Sequence, residues 1–86
     1  MFDLTGKGAL VTGATGGIGS AVARALYAQG AMVALSGRRI EALEALAADL
    51  GDRAKAVLGD LSDAQSVAEL PVRAEEALGQ LDILVN

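Results

Sequence analysis

The fold is decided by residues 8–26, "GALVTGATGGIGSAVARAL". An apolar run, Ala9 to Thr12, leads into a loop that holds Gly13, Gly16, Gly17 and Gly19, and an alanine-rich helical pattern follows. Glycine is poor in strands and in helices because it loses the most conformational freedom on ordering. So many glycines at one junction need a reason. A strand, a glycine loop and a helix N-terminus in succession make an anion site, because the free N–H groups of the first turn and the positive end of the helix dipole face the ligand. Glycines let the chain turn sharply and let a phosphate approach without meeting a Cβ. The loop from Gly13 to Gly19 therefore reads as a seat for a pyrophosphate, with a ligand-free glycine-rich turn as the plain structural alternative.

The spacing narrows the choice. A P-loop is excluded, because no Lys-Ser/Thr pair follows the glycines. The G-x-G-x-x-G dinucleotide pattern would start at Gly17 and Gly19 and needs a small residue where the chain has Val22. Thr12, Gly13, Gly17 and Gly19 fit T-G-x-x-x-G-x-G, while Gly13, Gly16 and Gly19 also fit T-G-x-x-G-x-x-G.

Short apolar runs and helical patterns alternate outward from this loop. Ile18, Ala21, Val22, Ala25 and Leu26 predict a helix stopped near Gly30. Ala31–Ser36 reads as a second strand, and Ile40, Leu43, Leu46, Ala47 and Leu50 as a second helical stripe ended by Gly51. Residues 54–58 supply a third strand. "SDAQ", Ser62 to Gln65, predicts a capping box that opens a third helix. Pro71 falls inside that helix, where it removes a hydrogen bond and is expected to kink or interrupt it; Gly79 ends it. Leu81–Val85 is a fourth strand, apolar except for Asp82. The order βαβαβαβ, with strands that are solid apolar runs, predicts a parallel sheet covered on both faces. Right-handed crossovers then give an α/β, Rossmann-type, doubly wound half-sheet with strand order 3-2-1-4. No internal repeat, low-complexity segment or linker interrupts the pattern.

Bulk properties bound the possibilities. The chain has 86 residues, one small domain that buries about 60–65% of its unfolded surface. It is 52% apolar with one Tyr, one Phe and no Trp, so Leu, Val, Ile and Ala must build the core. Its formal net charge is −4 and its seven basic residues are scattered in sequence, which argues against nucleic acid and against an anionic membrane as partners. With no cysteine there is neither a disulfide nor a thiolate metal site, as suits a cytoplasmic protein. With no histidine the commonest general base and metal ligand is missing. The N-terminal segment, with Asp3 and no long apolar stretch, is not read as a signal peptide, and no run approaches the roughly 18 apolar residues of a membrane span.

The end of the second strand bears on the ligand. In dinucleotide folds an acid there grips the ribose 2′-hydroxyl of NAD. Here Ser36 and Gly37 occupy the place, and Arg38 and Arg39 follow. A guanidinium pairs with a 2′-phosphate, whereas an acid repels it. The pattern favours NADP(H), although both arginines can also be read as solvated residues at a helix start. Cations are unfavourable at that end of a helix.

"MFDLTGKGALVTGATGGIGSAVARALYAQGA", "VALSGRR", "GDLSDAQSV" and "LGQLDILVN" resemble the N-terminal third of the short-chain dehydrogenase/reductase family, nearest its bacterial 3-oxoacyl-acyl-carrier-protein reductases. "DILVN" favours the ordinary branch of that family over the extended branch that includes epimerases. The resemblance implies cofactor contacts from Gly13, Thr15, Gly16, Gly17, Ile18 and Gly19, with the Ile18 backbone N–H on the pyrophosphate. It implies that Arg38, just past the acid position, reads the 2′-phosphate. Asp60 would accept from the adenine amino group, with helix capping as its other reading, and the Leu61 backbone would lie beside the ring. Asn86 would support the sheet beside the cofactor. The whole family member is expected to be a cytoplasmic homotetramer that passes hydride from NADPH to a 3-oxoacyl group carried on acyl-carrier protein.

Two positions depart from the pattern. Gly16 stands where many of these reductases carry Arg, and Pro71 lies in the third helix. The family's catalytic Ser, Tyr-x-x-x-Lys and second Asn fall beyond the fourth strand. The only tyrosine here is Tyr27, four residues before Ala31, and the lysines are Lys7 and Lys55. The resemblance thus implies a cofactor-binding part, residues 1–86, without the proton donor, inactive by itself. A non-catalytic dinucleotide-binding module, or a dehydrogenase for another carbonyl or alcohol, are the alternatives. The fourth strand, at the edge of the expected order, is apolar and open to self-association.

Overall fold

A computed structural model describes residues 3–59 and 62–86. Four strands, β1 (Gly8–Val11), β2 (Met32–Gly37), β3 (Ala54–Leu58) and β4 (Ile83–Val85), alternate with helices α1 (Gly17–Ala28), α2 (Ile40–Leu50) and α3 (Ala64–Leu78). All strand pairs are parallel, in the order β3-β2-β1-β4. This is the doubly wound, Rossmann-type half-sheet that the alternating pattern predicts.

The pleat sends alternate residues of each strand to opposite faces. Val11, Val33, Leu35 and Ala54 form one core with Ala23 of α1 and Leu43 and Leu46 of α2. Leu10, Ala34 and Val57 form the other with Leu70 and Ala74 of α3. Central strands β1 and β2 are buried nearly throughout, so they read as continuous apolar runs. Each fully buried leucine contributes about 1.5–3 kcal/mol of transfer free energy.

Three expectations are corrected. The face of α1 that meets the sheet carries Val22, Ala23, Leu26 and Tyr27, while Ile18, Ala21 and Ala25 face solvent. The helix is so rich in alanine that outward alanines imitate a core stripe, while its larger apolar side chains, Val22, Leu26 and Tyr27, pack on the core beside Ala23. The cap of α3 is Asp63, whose side chain accepts from the Gln65 N–H at 3.0 Å, and not Ser62. Helix α3 runs uninterrupted across Pro71. The Val67 carbonyl loses its helical donor there, but Val67 is 41% exposed, while Leu70 and Ala74 anchor the opposite side in the core. Gly79 closes α3 in the left-handed region, φ 88°, as the sequence predicts.

Candidate functional site

The loop between β1 and α1 opens at the carboxyl end of the sheet, where α/β folds bind ligands. Gly13 turns the chain with φ +60°, a conformation that side chains avoid. Its carbonyl accepts from Gly16 N–H at 3.1 Å, and Ala14 N–H donates to the Ser36 carbonyl at 3.0 Å, which fastens the loop to β2. Gly16 is the N-cap of α1, with no side chain to satisfy the first turn. The first helical hydrogen bond runs from Ser20 N–H to the Gly16 carbonyl at 2.9 Å. The N–H groups of Gly17, Ile18 and Gly19 therefore lack backbone acceptors among the described residues, and the dipole adds positive potential at the same place.

The glycines divide by role. A Cβ at Gly17 would meet nothing within 4 Å. A Cβ at Gly19 would run into the Gly13 carbonyl group, 2.8 Å from its carbon, and lie 3.1 Å from the Ala14 Cα. Gly17 thus keeps space open on the outside of the loop. Gly19 makes room for the loop's own backbone.

A cleft of about 730 Å³ joins this loop to the end of β2; Thr15, Gly16, Gly37, Arg38 and Arg39 lie along it. Thr12, Gly13, Ser36, Gly59 and Ser62 complete the lining. Arg39 caps α2 without a side-chain hydrogen bond. No acid stands at Gly37. Gly59 lets the chain after β3 lie close on the core, since a Cβ there would press on Leu70 Cδ2 at 2.5 Å and on the Ser36 hydroxyl at 2.9 Å. Asp60 and Leu61, expected at the adenine, lie outside the described residues. Ile18 is 84% exposed beside the loop. Asn86 follows β4, its Oδ1 3.5 Å from the Thr12 hydroxyl, which also donates to the Val85 carbonyl at 3.2 Å. Gly13, Thr15, Gly16 and Arg38 are thus brought to one cleft, Gly17, Ile18 and Gly19 lie outside its lining, and the Asn86 amide reaches Thr12 at the end of β1.

At the opposite end of the sheet Asp82 fixes the register of β4. Its backbone N–H donates to the Gly8 carbonyl at 2.8 Å, and its Oδ2 accepts from Gly8 N–H at 2.9 Å and from Gln80 Nε2 at 2.6 Å. The Gly8 N–H bond, followed by the Gln80 bond, holds the Asp82 carboxyl below its ordinary pKa. Tyr27 is remote from the cleft, its ring 3.8 Å from the Arg53 guanidinium. No metal-binding cluster occurs among the described residues, and no helix is long and apolar enough to cross a membrane.

A family model described as short chain dehydrogenase matches residues 7–86. Nodulation protein G of Rhizobium sp. (strain N33) is 58% identical over 86 residues, covering 100% of this chain and 35% of that protein. The crystal structure of 3-ketoacyl-(acyl-carrier-protein) reductase from Brucella melitensis complexed with NADH superposes with a TM-score of 0.87 at 36% identity, over 95% of this chain and 34% of that one. A short chain dehydrogenase from Burkholderia cenocepacia J2315 in complex with NADP gives 0.88 at 45% identity, over 96% of this chain and 36% of that one. The chain spans about a third of the length of these relatives.

Proposed function

Since the chain belongs to the short-chain dehydrogenase family, we propose that its residues form the NADP(H)-binding part of an oxidoreductase that reduces 3-oxoacyl groups on acyl-carrier protein to 3-hydroxyacyl groups. The observation that carries this reading is one cleft lined both by Gly16, the N-cap of α1, and by an arginine, Arg38, without an acid at Gly37. The loop amides suit a pyrophosphate, and the guanidinium suits a 2′-phosphate in a charge-assisted, bidentate way. When bound, the reduced nicotinamide supplies hydride to a carbonyl carbon. The residues of this chain bind and orient. Gly13 to Gly19 hold the diphosphate, Arg38 selects the adenosine end, Asp60 and Leu61 flank the adenine, and Asn86 supports the strand alongside.

Tyr27 is engaged with Arg53, so it is no candidate for the proton donor, and residues 1–86 by themselves are without reductase activity in this reading. Acyl-carrier protein as substrate carrier, a homotetramer and a cytoplasmic location belong to the same proposal for the whole protein. Its second form is a dehydrogenase for another carbonyl or alcohol; the 58% identity to nodulation protein G, whose name specifies no substrate, favours keeping it.

The test is parallel titration with NADPH and NADH of the polypeptide as its gene encodes it. A charge-assisted contact is worth about 1.5–3 kcal/mol, so NADPH should bind roughly tenfold tighter or more. Equal affinities, or tighter NADH, would contradict the NADP(H) assignment.

A further inference from the structure

The chain has seven basic residues against eleven acids, and among the described residues a single ion pair forms. Arg24 pairs with Asp49 at 2.6 Å. Arg53 lies over the Tyr27 ring and donates to the carbonyls of Tyr27 at 3.0 Å and Ala31 at 2.7 Å. Among the described residues, Lys7, Arg38, Arg39, Lys55 and Arg73 make no ion pair. Three of these, Arg38, Arg39 and Arg73, line clefts where β2 and β3 end. Arg38 and Arg39 line the large cleft. Arg38 and Arg73 line a side cleft of about 260 Å³ together with Leu58, Gly59, Asp63 and Ser66. Arg38 and Gly59 line both clefts, so the two adjoin at these residues.

Arg73 reaches this place from the middle of α3. Its Nη1 donates to the Leu58 carbonyl at 2.8 Å, and the side chain leans back toward the helix N-terminus, as helical side chains do. That bond uses one of five guanidinium N–H groups. The acid in the side cleft, Asp63, directs Oδ1 to Gln65 N–H at 3.0 Å as the cap of α3. Two guanidinium groups beside one carboxylate that is engaged in capping leave the cleft net positive, and a dianion placed between them is attracted where a neutral hydroxyl is not.

We propose that Arg73 is a specificity-determining residue: together with Arg38 it favours a dinucleotide that carries a 2′-phosphate over one that carries a 2′-hydroxyl. The proposal rests on the nucleotide reading above and adds to it a residue from the far side of β3. Two variants separate charge from packing. Arg73→Gln removes the charge and keeps a polar side chain; Arg73→Lys keeps the charge. Both are titrated with NADPH and NADH in the polypeptide as its gene encodes it, and thermal melts check that each variant is folded.

Arg73→Gln should weaken NADPH by about three- to tenfold and leave NADH nearly unchanged, the range for one cation at a partly solvated rim. It should also make the dependence of NADPH affinity on salt shallower. Arg73→Lys should keep the preference within about twofold. Equal losses for both nucleotides in Arg73→Gln, or no change in either, overturn the proposal. If the unaltered protein binds neither nucleotide, the nucleotide reading fails and takes this proposal with it. If the unaltered protein prefers NADPH and only Arg38→Ala abolishes that preference, the role of Arg73 alone is refuted.

Discussion

Replacing Gly17 with Ala should move stability and nucleotide affinity in opposite directions. Gly17 is the first residue of α1, and a Cβ there meets nothing within 4 Å. The methyl group costs the folded chain no contact. It restricts the unfolded chain, and alanine is favoured over glycine in a helix by about 0.5–1 kcal/mol, less at the first position than in the interior. Stability should therefore stay level or rise by about 0.5 kcal/mol. The same methyl group occupies the outside of the loop, where a diphosphate must approach the N–H groups of Gly17 and Ile18. Losing one charge-assisted hydrogen bond costs about 1.5–3 kcal/mol, or roughly 10- to 150-fold in Kd. Gly19→Ala is the contrast. Its Cβ collides with the Gly13 carbonyl, so it should lower stability by about 1–3 kcal/mol as the loop is forced apart, and lose affinity as a consequence. Calorimetric titration with NADPH and a thermal melt on the same samples give both quantities. If Gly17→Ala binds NADPH as tightly as the unaltered protein and melts cooperatively, no phosphate lies against Gly17 and the site is misplaced.

Further outcomes follow from the same geometry. Arg38→Ala should weaken NADPH roughly tenfold or more and leave NADH nearly alone; equal losses would show that Arg38 does not read the 2′-phosphate. Gly37→Asp should invert the preference toward NADH, since its Cβ would sit 3.5 Å from Leu43 Cδ2 and 3.9 Å from the Thr15 hydroxyl, both ordinary contacts. Retained NADPH preference in a folded Gly37→Asp variant would count against this placing of the ribose. Asp82 has a folded-state pKa below its ordinary value, so its contribution to stability is present above that ordinary value and is lost as pH falls through the lower, folded one. Asp82→Ala should therefore be less stable than the unaltered protein at neutral pH, and the gap should close in acid; a gap independent of pH from neutral down to about 2 would show that the carboxylate is not the group that holds β4.

Local chemistry was legible in the sequence, and contacts between distant residues were not. The glycine loop, the alternation of strands and helices, the order 3-2-1-4 and the basic end of β2 all follow from neighbours along the chain. The rotation of α1 did not follow, because Ala21 and Ala25 look as apolar as Ala23, and only the packing of Ala23, Val22, Leu26 and Tyr27 on the sheet shows which side faces it. Strand β1 begins at Gly8 because the Gln80 carbonyl lies against it, an approach between residues 72 positions apart that leaves no mark near Gly8. Asp82 stood out only as a polar break in an apolar run; its bond to Gly8 N–H explains it. Gly59 carries no signal in the sequence and proves to be a packing glycine against Leu70 and Ser36. Arg73 was indistinguishable from any solvated helix residue until α3 was placed beside β3.

The central claim is that the β1–α1 loop and Arg38 form one nucleotide site. Amide and guanidinium resonances followed by NMR during titration with NADPH test it most directly. The account predicts the largest shifts at Gly13, Thr15, Gly16, Gly17, Ile18 and the Arg38 side chain, with NADH reproducing the loop shifts but not those of Arg38. Shifts centred elsewhere, or a loop that stays unperturbed at saturating NADPH, would contradict it.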